Sequence, residues 1–132
     1  MISNKLKTIF GLSVPLFIAH GLEEYFTGFY DIDSHFLYVF RPILYMPMNQ
    51  GVFLTFQIMI WLLFIFSFLL VSGIKWQLRL MLLLGFGYFY EMHHIYKAIA
   101  VGGYYPGVIT ALGFPFFTYF FWKEFWKISR QV

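Results

Sequence analysis

Residues Val52–Gly73, VFLTFQIMIWLLFIFSFLLVSG, carry no charged side chain, and Thr55, Gln57, Ser67 and Ser72 are scattered through them without forming a polar face. A helix that is apolar all round has to be buried in protein or in lipid. At 1.5 Å per residue this one is long enough to cross roughly 30 Å of hydrocarbon. Working outward, Leu6–Phe29, Gln77–Ala100 and Tyr105–Trp122 are further apolar runs of spanning length. Together the four spans use nearly all of the 132 residues, so the chain reads as one domain, 1–132, an all-α polytopic membrane protein. Composition agrees: 61% of residues are hydrophobic and 11% charged, far from a soluble average.

The first run could pass for a signal peptide, but its polar HGLEE segment stands where an apolar core should be and no clean small-residue cleavage site follows. It is expected to be retained. Lys5 and Lys7 precede the first span, Lys75 and Arg79 lie between the second and third, and Lys123, Lys127 and Arg130 follow the fourth. Basic residues at span ends mark the cytoplasmic side, which places both termini there and Arg41 opposite. The net charge of +3 is thereby accounted for without nucleic acid. Cysteine is absent, which removes disulfides, thiolate ligands and thiol nucleophiles.

Two ionisable clusters interrupt the apolar runs: His20-Gly21-Leu22-Glu23-Glu24 and Glu91-Met92-His93-His94. Carboxylates within a membrane span are costly unless they face a cavity and find partners, so they point to function. Counted from the cytoplasmic ends, His20 and Glu91 each lie about 18 Å deep at 1.5 Å per residue. On a helix, His20 shares a face with Glu23 and Glu24, and Glu91 shares one with His94. Glu-x-x-His is the spacing that di-iron and di-manganese bundles use to aim a carboxylate and an imidazole at one site. His93 points about 100° away from His94, toward Glu23 or a route outward. Gln57 reaches a similar level as a hydrogen-bonding partner. The connection from Tyr30 to Gly51, which includes His35, reads as an interfacial segment able to close over the site. Pro15 and Pro115 are expected to kink their helices, and Tyr105-Pro106-Gly107 to turn the chain between the third and fourth spans.

The HGLEE motif, the downstream histidine-bearing helix and the Tyr105-Pro106-Gly107 turn resemble the HXXEE-domain family of small bacterial membrane proteins. The resemblance covers most of the chain and implies a shared architecture in a bacterial cytoplasmic membrane. It brings no reaction with it.

The chemistry therefore rests on the residues. HxxEE is similar to the HxxEH arrangement of inverted zinc peptidases, which makes His20 and Glu24 metal ligands and Glu23 a general base. Glu91 or His94 then completes the set, with Glu91 also able to act catalytically. Zinc is preferred, and carboxylate-rich ligation extends the choice to iron or manganese. The expected activity is a metal-dependent hydrolase or oxidoreductase acting on a lipid or other apolar substrate. Two alternatives remain open: metal-free acid–base isomerisation or cyclisation, and transport of protons or a divalent metal, for which a homodimer would supply room.

Overall fold

A computed structural model describes residues 2–130, and every regular element among them is helical. Helix α1, Asn4–Thr27, starts at Ser3, whose hydroxyl accepts from the Leu6 N–H, and stops at Gly28 in the left-handed conformation. The expected interfacial connection is itself helical, as α2, Phe29–Ile32, and α3, Ser34–Leu44. Asp33 caps α3 by accepting from the Phe36 N–H at 2.8 Å. Helix α4, Met48–Val71, covers the stretch that opened the sequence reading.

The expected third and fourth spans are each broken. The third divides at Met92 into α5, Ile74–Glu91, and α6, His93–Val101. At the break the His93 Nδ1 donates to the Tyr90 carbonyl at 2.8 Å, replacing part of the helical ladder with a side chain. The fourth divides into α7, Val108–Ala111, and α8, Phe114–Ser129. Pro115 therefore lies in the first turn of α8, where its missing N–H costs nothing, whereas Pro15 is interior to α1, as Pro42 is to α3.

These breaks bear on membrane crossing. Among the described residues only α4 is both long and apolar enough to qualify as a membrane span. The HGLEE cluster and two lysines interrupt α1, and α8 is 16 residues long.

The core lies between α1, α5 and α8, around fully buried Leu6, Tyr88, Phe114 and Phe121. Tyr88 donates to the Ser13 hydroxyl at 2.6 Å, and that hydroxyl donates to the Phe10 carbonyl at 2.7 Å. Ser3 donates to Glu124 at 3.0 Å, which ties the start of α1 to the end of α8. Among the described residues helix α4 packs mainly on α5 and α3, and of its own residues only Gly51 is buried.

Helices α5 and α8 approach closely at Gly85, where a Cβ would stand 2.7 Å from Phe121 and 2.9 Å from Trp122, whose Nε1–H donates to the Gly85 carbonyl. A Cβ on Gly87 would meet nothing within 4 Å. Gly85→Ala is expected to destabilise the bundle by about 1–3 kcal/mol through overpacking, and Gly87→Ala to be tolerated. Thermal unfolding of the detergent-solubilised protein checks this, and equal melting temperatures for the two variants would contradict the packing described.

Candidate metal centre

Three of the helical segments bring the two sequence clusters to one point. His20 and Glu24 come from the outer part of α1, Glu91 from the last residue of α5, and His94 from the first turn of α6. The His20 Nε2 lies 3.1 Å from Glu91 Oε2 and 3.9 Å from Glu24 Oε1. The His94 Nε2 lies 3.2 Å from Glu24 Oε1 and 3.7 Å from Glu91 Oε2. His20, Glu91 and His94 each offer a donor atom within 4.8 Å of the others, a grouping able to hold a metal ion.

The backs of both imidazoles are fixed. His94 Nδ1 donates to the Pro106 carbonyl at 2.6 Å, which leaves Nε2 as the atom facing the carboxylates. His20 Nδ1 lies 2.8 Å from the Thr110 hydroxyl. That hydroxyl has a single proton and gives it to Glu23 Oε2 at 2.6 Å, so it accepts from His20 Nδ1–H. In the neutral rings each Nε2 is therefore unprotonated and faces carboxylate oxygens, and the 3.1 Å contact of His20 Nε2 with Glu91 Oε2 is a hydrogen bond when a proton lies between them. His94 Nε2, fully buried, has no hydrogen-bond partner in acceptable geometry among the described residues. An orphaned buried nitrogen of this kind calls for an explanation, and a cation held by His20, Glu91 and His94 is one.

Glu23 is placed differently from its neighbour. Its Oε1 accepts from the Tyr104 hydroxyl at 2.9 Å and the Ile109 N–H at 3.1 Å, and its Oε2 from the Thr110 N–H at 2.8 Å and the Thr110 hydroxyl. The carboxylate expected as general base is engaged by the first turn of α7 and by Tyr104 in the turn before it, away from the point where the other groups converge.

The remaining expected partners separate. His93 makes no bond to Glu23; with His35 it lines a cleft of about 220 Å³ that reaches Glu24 and Glu91. Helix α3 forms one wall of that cleft through Phe36, Val39 and Phe40, so this part of the 30–51 connection borders Glu24 and Glu91. Gln57 is half-buried on α4 and, among the described residues, hydrogen-bonds to none of these groups. On the opposite side His20 packs edge-on against Phe114 at 5.2 Å between centroids, and Phe17 and Tyr88 continue that aromatic floor.

A family described as a protein of unknown function with an HXXEE motif matches residues 12–121. The chain belongs to it. No curated protein and no solved structure matches the chain significantly. In this HXXEE protein the motif's three ionisable residues hold distinct positions: His20 and Glu24 face the convergence point, and Glu23 latches the α6–α7 turn against α1.

Sequence reasoning missed Thr110, the Pro106 carbonyl, Gly107 and the Asp33–Tyr105 pair as parts of the site. Gly107 has φ 85°, and a Cβ there would stand 2.7 Å from His20 Cε1 and 2.8 Å from His94 Nδ1. The Tyr-Pro-Gly turn was visible as a turn, but nothing in it announced that it presses on both imidazoles. Buried Asp33 accepts from the Tyr105 hydroxyl at 2.7 Å, joining α3 to the same turn. Burial pushes the Asp33 carboxyl up, but the bonds from Phe36 N–H and Tyr105, with His93 and Lys97 nearby, leave it below the usual carboxylate range.

Gly107→Ala is expected to cost about 1–2 kcal/mol from backbone strain alone and to push the imidazoles apart. Its check is a melting temperature lowered together with any metal binding, in contrast to a neutral Gly103→Ala, where a Cβ meets nothing within 4 Å. A lowered folded pKa means that the stabilisation from Asp33 is fully present above its unfolded value of about 3.9 and is lost as pH falls through the folded value. Asp33→Asn is accordingly expected to lose about 1–3 kcal/mol near neutral pH. Melting curves from pH 7 down to 3 should show the two proteins converging at the acid end.

Proposed function

We propose that this HXXEE protein is a membrane-embedded, metal-dependent enzyme whose centre is held by His20, Glu24, Glu91 and His94. The observation that carries the reading is the orphaned His94 Nε2, locked by Pro106 into the tautomer that accepts, with two carboxylate oxygens within 3.7 Å of it. Metal-ligating histidines ordinarily donate their other ring N–H to a carbonyl or to an acidic partner, and both histidines do so here, His20 through Thr110 to Glu23. Two imidazole nitrogens and two carboxylate oxygens suit zinc, and also iron or manganese. A bound divalent ion would supply Lewis acidity and lower the pKa of a water molecule toward 7.

The chain's own residues divide the remaining work. Thr110 and Glu23 orient His20, and Pro106 orients His94. The floor of Phe17, Tyr88 and Phe114 keeps water from approaching along the bundle axis. Glu24 and Glu91 border the 220 Å³ cleft, so either carboxylate is placed to take or return a proton from a molecule there. Glu23, with four donors on its two oxygens, acts as a positioning residue.

The membrane setting rests on three features. Helix α4 is uncovered on most sides, with Phe53, Leu63, Phe64 and Phe68 each more than 60% exposed, as a lipid-facing helix would be. The Ser3–Glu124 bond puts both ends of the bundle together. The basic residues at positions 5, 7, 75, 79, 123, 127 and 130 then gather at span ends on a cytoplasmic face. Four crossings result if α5 with α6, and α7 with α8, each count as one broken span, the breaks being buried in protein where the site is built.

Elemental analysis of the detergent-purified protein tests the centre. One equivalent of zinc, iron or manganese is expected, lost in His94→Ala and weakened about 10–100-fold in Thr110→Val, which removes no ligand but takes away the hydroxyl that links His20 to Glu23. Metal-free protein after reconstitution with all three ions would overturn the reading in favour of acid–base chemistry or a purely structural network.

A further inference from the structure

Helix α3 carries its polar residues Ser34, Tyr38 and Arg41 three or four positions apart, on one face. Phe36, Val39, Phe40, Ile43 and Leu44 fall at the same spacing on another face, as in an amphipathic helix lying in a membrane interface. That apolar face does two things along its length. Phe36, Val39 and Phe40 wall the cleft that ends on Glu24 and Glu91. One turn further, Ile43 and Leu44 wall a second hollow of about 590 Å³ against α4, floored by Met46, Met48, Thr55 and Met59.

The two hollows thus lie along one helical stripe, about 12 Å from Phe36 to Leu44 at 1.5 Å per residue. The first has ionisable groups at its inner end, Glu24, Glu91 and His93, and His35 on exposed α3. The second is almost entirely apolar, and its three methionines are unbranched side chains that adapt to a flexible guest. Gly51 at its base lets α4 approach the Ile43 carbonyl, where a Cβ would stand at 3.4 Å.

We propose that these hollows form one binding track for a single-chain lipid, its oxygen-bearing head group at Glu24, Glu91 and His93 and its chain along α3 into the methionine-lined trough. A compact polar molecule would leave the trough unused, and a two-chain lipid would need two tracks where α3 offers one stripe. The proposal deepens the metal-enzyme reading by naming the substrate class, and it rests on that reading only for what happens at the head group.

The test uses the full chain in detergent with two photoactivatable octadecanols, one bearing a diazirine beside the hydroxyl group and the other at the methyl end. The hydroxyl-end probe is expected to label the peptide containing Tyr90 and His93, and the methyl-end probe the peptide from Met46 to Met59. Unlabelled octadecanol should compete with both. Thr55→Trp, which fills the trough, is expected to weaken methyl-end labelling about tenfold by displacing roughly two methylenes. Labelling that does not saturate, that places both probes on the same peptides, or that is indifferent to Thr55→Trp would overturn the track and identify ordinary lipid contact. Metal content measured on the same samples separates the two ideas. Bound metal without ordered labelling sinks the track alone, and ordered labelling without metal sinks the metal centre while the track stands.

Discussion

Two imidazole lone pairs aimed at two carboxylates are the constraint around which this molecule is organised. Left without a proton or a cation between them, such groups repel, so the surrounding chain has to hold them against separation. It does so from behind. Pro106 takes the proton side of His94, and Thr110 takes that of His20 while passing its own proton to Glu23. Four backbone segments are thereby tied into one polar knot inside an otherwise apolar bundle.

The local irregularities of the fold follow from that knot. The break at Met92 turns α6 so that His94 meets Glu24 as well as Glu91, and the His93 ring sustains the break by taking the Tyr90 carbonyl. Glycine at 107 admits both imidazoles beside the backbone in a conformation that other residues rarely adopt. Glu23 gathers the amide and hydroxyl donors of the turn that follows, which is why a short helix starts there. Asp33 fastens α3 to the same turn through Tyr105, so the helix that walls the cleft moves with the site.

Much of this was legible in the residues, and the rest was not, for identifiable reasons. The i,i+3 and i,i+4 spacings of His20, Glu23 and Glu24 follow from helix geometry, and the membership in the HXXEE family rests on a match over residues 12–121 that includes this pentapeptide. Helical spacing alone cannot distinguish Glu23 from Glu24, because each shares a face with His20; what separates them is where the α6–α7 turn lies. Thr110 looked like any hydroxyl in an apolar helix. Gln57 stood at the right height but on α4, which packs on α5 and α3 and reaches the knot with no hydrogen bond. The expectation of continuous third and fourth spans failed because side-chain competition for backbone carbonyls leaves no trace in hydropathy.

What the sequence determined by itself is the all-helical character, the long uncharged apolar stretch of α4 and the presence of an HxxEE face and a Glu-x-x-His face, since periodicity and composition act within one segment. The tertiary structure alone decided which carboxylates converge, which nitrogen of each histidine faces them and which turn holds them there. Those outcomes depend on hydrogen bonds between residues 71 to 90 positions apart, and no local pattern encodes a partner at that distance.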